Sequence, residues 1–470
     1  MELFGIKFRE YIECQGYSVR QFAKDANFDR SWLTNILNNK KKLPETAFSQ
    51  LVNNNYFSDE QINKLKYIYY SATFTETEFE HIEYIIKKFA SPIILKKYIP
   101  ENIPDKNTSA VIGFNNVLCM LYGLFYSEKK YYYVYSNIPA SMEEHLSIIY
   151  YFLKQRGTGD YKHILYLDHG VSTNNLNSYF MLIYFAGIGY KMSILKNVNT
   201  TQIETLSNFP YYVMVNNKMI MFDSRFESAI YIDNDVEINL YQKGFSKIYD
   251  NTEQILSYYD NPADYNNARH HYNKVTLNHK IISNDYNLAL LLTDDIYKSN
   301  INHSFPNTNY LISALKSYYN VSESNRNTHY ITVNALSHFV KNGRIAQFPE
   351  SYFDSLSVRQ RIDMLNIQKK AAAQKKYNIK LINPTRLRYS SYTFDSDCEN
   401  MLNVSGFCDS EVNSDSFLGN FSVLIKDKSV LRDFSNTFDF INKNNYIYSD
   451  EYYMNYIDGC IKELESRLLY

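Results

Sequence analysis

Three polar side chains near the start of the chain, Arg30, Ser31 and Asn35, have the types and spacing needed to bond to DNA base edges. An arginine can form two hydrogen bonds to guanine and an asparagine can form two to adenine, while a serine hydroxyl can bond either base. On an α-helix these three side chains lie on one side. The chemistry predicted for that side is the reading of base pairs in a major groove.

The elements that must hold this face are predicted as four short helices over residues 6–53. Ser18 and Gln21 form a capping box at the start of the second helix, and Asp29 is suited to cap the third. The turn between these two helices is about three residues long, as in a helix-turn-helix. Pro44 suits the first position of the fourth helix. The apolar residues predicted to face one another are Phe4, Phe8, Tyr11, Ile12, Val19, Phe22, Ala23, Ala26, Leu33, Ile36, Leu37, Ala47, Phe48, Leu51 and Val52.

Residues 5–55 resemble the Cro/C1-type (XRE family) helix-turn-helix of bacterial and phage repressors. The string that carries the resemblance is SVRQFAKDANFDRSWLTNI, residues 18–36. Asn27 stands where the family often has glycine, and asparagine tolerates the positive φ angle of such a turn. Leu37 replaces a frequent acidic residue without touching the reading face.

By this resemblance Arg30, Ser31 and Asn35 read bases in a double-stranded DNA operator. The other residues predicted to contact DNA are Val19, Arg20, Trp32, Thr34, Asn38, Lys40 and Lys41. Within that set, Val19, Arg20 and Asn38 would lie near phosphates, and the lysine run after the third helix would neutralise phosphate charge. For Trp32, helix packing is the alternative to a DNA contact.

The charge of the chain favours a sequence-specific reader over a general nucleic-acid coat. The whole chain has 49 Lys and Arg, 50 Asp and Glu and a formal net charge of −1. Residues 1–70 hold ten Lys and Arg against eight Asp and Glu, a small positive excess. Because one module of this size reads few base pairs, we expect a homodimer on two half-sites.

A chain of 470 residues is too long for one such unit and suggests further domains. From residue 110 strands alternate with helices, which favours a layered α/β region. The predicted fold is multidomain, with an N-terminal all-α helix-turn-helix bundle followed by a large α/β (α+β) region of two lobes. The predicted divisions are residues 1–70 for the helix-turn-helix domain, 71–109 for a helix and linker, 110–260 for the first lobe, 261–330 for a polar connecting region and 331–470 for the second lobe.

Two local patterns within the first lobe give specific predictions. Asn216-Asn217 between two apolar runs predicts a β-hairpin with a type I′ turn. Residues 236–257 are predicted to form one long helix. No internal repeat is visible in the sequence.

The order of hairpin, strand and acidic-started helix in residues 211–257 resembles one lobe of a phospholipase-D-like domain. That domain also serves, without catalysis, as an effector domain in some bacterial regulators. Its enzymes need His-x-Lys-x4-Asp at the hairpin, where this chain has Phe209, Tyr211 and Asn216. The resemblance therefore implies a site without the nucleophile, the phosphate-binding cation or the orienting acid.

Other catalytic patterns are absent from the sequence. It has no phosphate-binding or dinucleotide-binding glycine motif, no HExxH and no GxSxG, so we predict no catalytic residue, cofactor or metal. Asp168 and His169 follow a predicted strand, where ligands of α/β folds gather, and Arg225 could meet an anionic ligand. The alternatives are an ordinary strand-ending turn for the first two and pairing with Asp223 or Glu227 for Arg225.

The sequence also predicts a cytoplasmic protein without a membrane partner. Lys7, Arg9 and Glu10 lie where a signal peptide would need an apolar run. The longest apolar stretch, residues 179–190, is about 12 residues and too short to span a bilayer. The five cysteines form no C-x-x-C and are expected to be free thiols.

Together these features predict a bacterial transcription regulator whose C-terminal region senses a small-molecule or peptide effector and dimerises. One alternative is an enzyme acting on a phosphodiester or nucleotide, with the N-terminal domain as a DNA-targeting unit. Another is a phage or plasmid control protein whose C-terminal region binds a protein partner.

Overall fold

The structure, a computed structural model, describes residues 4–54, 56–90, 108–156, 159–167, 173–186, 191–195, 207–252, 256–258, 280–283, 286, 288, 291–302, 328–345, 353–374, 378–387, 389, 392–397, 399–407 and 420–468. The fold is the multidomain one that was predicted, with an N-terminal helical region followed by two mixed sheets. No helix in this part of the chain combines the length and apolar character that crossing a bilayer would require.

Six helices form the N-terminal region. They are α1 (Phe4–Cys14), α2 (Val19–Asp25), α3 (Arg30–Leu37), α4 (Glu45–Asn53), α5 (Asp59–Ser71) and α6 (Glu76–Ala90). The caps predicted at Ser18 and Asp29 are both present. The prediction for Pro44 is wrong by one position, because its extended backbone (ψ 148°) makes it the N-cap and α4 begins at Glu45.

The first sheet has seven strands in the order β1-β7-β6-β5-β2-β3-β4. They are β1 (Ala110–Ile112), β2 (Tyr133–Ser136), β3 (Asp160–Tyr166), β4 (Lys191–Leu195), β5 (Tyr211–Val215), β6 (Lys218–Phe222) and β7 (Ser228–Ile232). The helices of this lobe are α7 (Phe114–Ser127), α8 (Glu143–Arg156), α9 (Thr173–Ala186) and α10 (Asp235–Tyr249). Strands β2, β3 and β4 are parallel, and the remaining neighbours are antiparallel.

The second sheet also has seven strands, in the order β11-β10-β9-β12-β13-β14-β8. They are β8 (Leu256–Tyr258), β9 (Lys280–Ser283), β10 (Thr328–Thr332), β11 (Asn378–Ile382), β12 (Thr393–Ser396), β13 (Leu402–Phe407) and β14 (Asn420–Ile425). Its helices are α11 (Asp294–Asn300), α12 (Val333–Asn342), α13 (Val358–Ala373), α14 (Lys428–Lys443) and α15 (Asp450–Arg467).

The two sheets have the same topology. Reading β8 to β14 in place of β1 to β7 reproduces the strand order and every parallel or antiparallel pairing. One apolar cluster joins the lobes, since Phe180 of α9 lies 6.2 Å from Phe394 and 6.3 Å from Phe434 between ring centroids. The body of the protein is therefore a structural duplication that the sequence did not reveal.

Two local predictions for the lobes need correction. The helix predicted for residues 236–257 ends at Tyr249, and Ser257 lies in β8, where it pairs with Ser422 of β14. The hairpin at residues 211–222 is present. Its turn is not type I′, because only Asn216 (φ 52°) of the two asparagines has positive φ. Strand β9 and residues 328–330 of β10 lie within residues 261–330, so this stretch also contributes to the second sheet.

His145 on α8 is buried in an aromatic site within the first lobe. Its ring centroid lies 4.7 Å from that of Phe226, 5.5 Å from Phe114 and 5.7 Å from Phe222, and neither ring nitrogen has a hydrogen-bond partner among the described residues. Burial lowers the pKa of His145 to about 3, and it lowers the pKa of the buried His163 to about 4. Both imidazoles are therefore neutral in the folded lobe.

We expect acid to destabilise the first lobe through these histidines. The lowered pKa of His145 contributes stability that is complete above the ordinary value of 6.5 and is lost as pH falls toward 3. Each pH unit in that window costs about 1.4 kcal/mol. His145→Phe removes the titration and should lose less free energy of unfolding between about pH 7 and about pH 4.5 than the native chain in denaturant titrations. Equal losses in both proteins would contradict this assignment.

Candidate nucleic-acid interface

The turn between α2 and α3 has the geometry that the sequence predicted. Asn27 has a φ of 56°, the left-handed conformation that was expected of this turn residue. The Phe28 backbone N–H donates to the carbonyl of Ala23 over 2.7 Å, which closes the turn. Ala23 is buried where the helices meet. These contacts fix the direction in which α3 leaves α2.

Helix α3 is held by its apolar side and by a close backbone contact with α1. Leu33, Ile36 and Leu37 are buried, as predicted. A Cβ atom at Gly5 would lie 2.3 Å from the Ile36 carbonyl oxygen, so only glycine permits this approach of α1 to α3. The Gly5 N–H donates to the Asn39 side-chain oxygen over 2.8 Å. The orientation of α3 is thus set by its buried apolar side and by the close approach of α1.

The opposite side of α3 carries the three residues that the sequence predicts to read bases. Arg30 and Ser31 are exposed and Asn35 is half-buried. Within the described chain no side-chain hydrogen bond is found for these three residues, so their donors and acceptors face solvent. The helix begins at Arg30, whose N-cap Asp29 accepts from the Trp32 N–H over 2.7 Å. The first turn, where recognition helices make base contacts, is therefore well ordered and accessible.

Two other residues of the predicted reading set have structural partners. The Thr34 hydroxyl donates to the Arg30 carbonyl over 2.8 Å, and Thr34 is half-buried. Trp32 is half-buried, with its ring centroid 5.3 Å from that of Phe28. This ring contact agrees with the packing alternative for Trp32, since the indole covers the turn before α3.

The C-terminal end of α3 brings together cationic residues, one of which sequence reasoning missed. Arg9 of α1 donates from Nη2 to the side-chain oxygen of Asn38 over 2.9 Å. Lys40 and Lys41 are exposed, and their backbone N–H groups donate to the Asn35 carbonyl over 2.8 and 3.3 Å. Arg9 lies 29 residues before Asn38, so no local pattern could have placed it there. On α2, Arg20 is exposed and Val19 half-buried.

Of the candidate ligand residues of the first lobe, the structure describes Arg225 alone. Asp168 and His169 lie outside the described residues. Arg225 is exposed on the turn between β6 and β7. The Asp223 carboxylate accepts from the backbone N–H groups of Glu227 and Ser228 and so shapes this turn.

Both halves of the duplication can be compared at the positions of the His-x-Lys-x4-Asp motif. In the first, Phe209 is half-buried and Tyr211 stacks on Phe226 at 5.3 Å. Ser136 and Ser283 are the last residues of the equivalent strands β2 and β9, and the strand registers then match Phe209 to Tyr389. The same alignment puts Ser396 at the aspartate position of the second half.

The helical region is fastened to the second lobe through α6 and α14. The buried His81 Nδ1 lies 2.9 Å from Oδ2 of the buried Asp433. Phe440 of α14 is part of the apolar core of the helical region and lies 5.6 Å from Phe79 between ring centroids. Lys66 donates to Asn445 over 2.9 Å.

A cavity of about 670 Å³ opens at this joint. One wall is formed by α1 and α5 of the helical region, and the other by the second lobe. The cations that line it are Lys7, Lys64 and Arg386. Aromatic and amide side chains complete the lining: Tyr11, Tyr67, Tyr446, Gln61, Asn63, Asn444 and Asn445. Glu60 is the one acid among the described lining residues, and Lys7 is already paired with Glu10 over 2.8 Å.

No protein-family model and no curated protein matches the chain. Solved structures similar to it include TrmBL2, described as an archaeal chromatin protein with a novel mode of DNA binding (13% identity, 54% of this chain, 94% of that chain, TM-score 0.23). Another is phosphatidylserine synthase of Haemophilus influenzae Rd KW20 (9% identity, 74% of this chain, 88% of that chain, TM-score 0.25). A third is polyphosphate kinase of Porphyromonas gingivalis, of which the chain covers about half (7% identity, 75% of this chain, 53% of that chain, TM-score 0.22). Scores this low carry no argument about function, which rests on the geometry of the chain itself.

Proposed function

We propose that this chain is a sequence-specific, DNA-binding transcription regulator of the cytoplasm that acts as a homodimer. The observation that supports it most directly is the capped helix α3, which presents Arg30, Ser31 and Asn35 to solvent on a rigid helix-turn-helix. These are the side chains that discriminate guanine and adenine in the major groove. The exposed Arg20, Lys40 and Lys41 would add phosphate contacts on either side.

The body is proposed to sense an effector, and the cavity at the joint is the region best suited to it. A ligand held between α5 and residues 444–446 would touch the helical region and the second lobe at once. It would therefore bias the position of the reading helix relative to the body, which is the requirement for a ligand to change DNA affinity.

The proposal is tested by selecting binding sites for the full-length chain from fragmented genomic DNA, followed by footprinting of the selected fragments. We expect one sequence class, including DNA upstream of the chain's own gene, to be protected at physiological salt. Retention of all fragments alike, with binding abolished by moderate salt, would show non-specific phosphate binding instead. Absence of any binding would contradict the proposal.

A further inference from the structure

A second groove opens beside the cavity at the joint, and we call it the joint groove. Its volume is about 460 Å³, which is within the range of pockets that hold small molecules. The helical region contributes α4 and α5 to its walls, and the second lobe contributes the loop after β11 and the residues before α15. Asn63, Arg386 and Asn445 line both the joint groove and the cavity, so the two spaces are neighbours.

Two cationic side chains of the joint groove have no acidic partner. Lys66 of α5 is half-buried, and its Nζ donates to the side-chain oxygen of Asn445 over 2.9 Å. An ammonium group has further N–H donors to satisfy. Arg386 is exposed and lines the same groove. No salt bridge involves either cation in the part of the chain that the structure describes.

The position of Lys66 is unfavourable without an anion. Lysine side chains rarely leave water unless they are paired, because the charge loses its hydration. Burial lowers the pKa of the Lys66 ammonium, which is the effect expected of a desolvated charge without a counterion. An anion held at Nζ would remove this cost, so part of the energy of ligand binding is already prepared in the fold.

The charge of the lining indicates how many negative charges the ligand carries. Asp59, exposed at the start of α5, is the one acid among the described lining residues. Asp450, next to the lining residue Ser449, is already paired with Lys380 over 2.9 Å. Two cations against one acid leave a single positive charge, which matches a carboxylate. An arginine can bind a carboxylate through two parallel hydrogen bonds.

The joint groove also has an apolar wall. Val52 of α4, Ile62 of α5 and Ile447 line it, and all three are half-buried. A ligand that covers them removes apolar surface from water, which is favourable. The ring of Tyr448 is stacked on that of Tyr452 with the centroids 4.0 Å apart, so this part of the wall is packed in place. A ligand that fills the groove would therefore carry an apolar group beside its charge.

We propose that the joint groove binds a small monocarboxylic acid with an apolar body, whose carboxylate is held by Lys66 and Arg386. Lys66 belongs to the helical region and Arg386 to the second lobe, so the bound carboxylate joins the two. The inference deepens the proposed function and rests on it in one respect, because it names the chemical class of the effector. Binding itself requires no DNA and is measured without it.

The test measures heat of binding and the midpoint of thermal unfolding of the full-length chain with two matched series of probes. The carboxylates are acetate, hexanoate, benzoate and phenylacetate, and the uncharged counterparts are the corresponding amides, all at the same millimolar concentration and ionic strength. We expect at least one of the three larger carboxylates to bind and to raise the midpoint, while acetate binds more weakly and the amides have no effect. Carboxylates that all behave like their amides would overturn the proposal, as would inorganic phosphate binding in their place.

Substitution of the two cations locates the bound carboxylate. Arg386→Gln should raise its dissociation constant about tenfold or more, because hydrogen bonds to charged groups are the stronger ones. Lys66→Gln should act in the same direction, and glutamine can still donate to Asn445. Arg359→Gln and Lys462→Gln remove exposed cations from α13 and α15 and are the matched controls, which should leave binding unchanged. Since Arg386 is exposed, its variant should fold, and undiminished binding by that variant would show that the carboxylate lies elsewhere.

Operator footprinting separates a failure of this inference from a failure of the proposed function. A chain that protects its operator but binds none of the carboxylates would overturn only the assignment of the joint groove. A chain that binds a carboxylate through Arg386 but protects no DNA would refute the proposed function and support the groove.

Discussion

Replacing Arg30 and Asn35 together by alanine is expected to abolish specific operator protection. Each base-edge contact of these types is worth about 1–3 kcal/mol of discrimination, so two independent losses reduce affinity by roughly one to four orders of magnitude. Both side chains project from a helix whose cap and apolar side they do not touch, and alanine is the best helix former. The variant should therefore fold normally and fail only in specific binding, measured by footprinting and by competition with unrelated DNA.

Two matched variants separate base reading from general charge loss. Arg359→Ala removes an exposed arginine on α13 of the body and should leave operator affinity unchanged. Arg20→Ala should weaken binding to specific and unrelated DNA by similar factors and flatten the dependence on salt, as expected for a phosphate contact. If the Arg30 and Asn35 variant protects the same footprint as the native chain, α3 is not the reading helix.

The helix-turn-helix could be predicted in detail because its determinants are local. The capping box at Ser18, the cap at Asp29 and the left-handed turn at Asn27 each depend on residues within a few positions. The side of α3 that faces solvent follows from helical periodicity alone. The position of Arg9 beside α3 could not be predicted, because its contact with Asn38 joins two different helices.

The duplicated body could not be predicted in the same way, because its sheets depend on long-range pairing. β12 pairs with β9, more than a hundred residues earlier in the chain, and β8 pairs with β14. The equivalent strands β5 and β12 have the sequences YYVMV and TFDS, so strands in equivalent positions of the two sheets share no visible sequence similarity. Ser257 shows the same effect at one position, where a helical pattern was overridden by pairing with β14.

The joint between the helical region and the body is held by a pair of residues separated by 352 positions, and its removal should have a large cost. His81 of α6 and Asp433 of α14 are both buried; His81 contacts Oδ2, and Asp433 Oδ1 has no hydrogen-bond partner among the described residues. His81→Ala leaves the buried Asp433 carboxyl without its side-chain partner, so we expect a loss of about 3–5 kcal/mol in the free energy of unfolding. Denaturant titrations followed by fluorescence of Trp32, the only tryptophan, report this loss in the helical region.

The protonation of Asp433 makes the destabilisation by His81→Ala depend on pH. Burial raises the pKa of the Asp433 carboxyl, while His81 and Arg432 oppose the rise and Glu78 adds to it. The pKa of Asp433 is higher in the folded than in the unfolded state. Its contribution to stability is therefore complete at a pH below the unfolded-state pKa and is lost as the pH rises through the folded-state pKa. Without His81 the opposition is smaller, so the deficit of His81→Ala relative to the native chain should shrink on acidification.

Replacing both residues shows whether the His81–Asp433 pair stabilises the joint or only offsets the cost of burying its own polar groups. Leucine at both positions removes the charge and fills much of the same volume, so H81L/D433L should lose less than His81→Ala alone. His338→Ala, which removes an exposed histidine on α12, should have no measurable effect. A His81→Ala chain as stable as the His338→Ala chain would mean that water reaches Asp433. The helical region would then be held to the body by the aromatic contacts of Phe440 rather than by the buried pair.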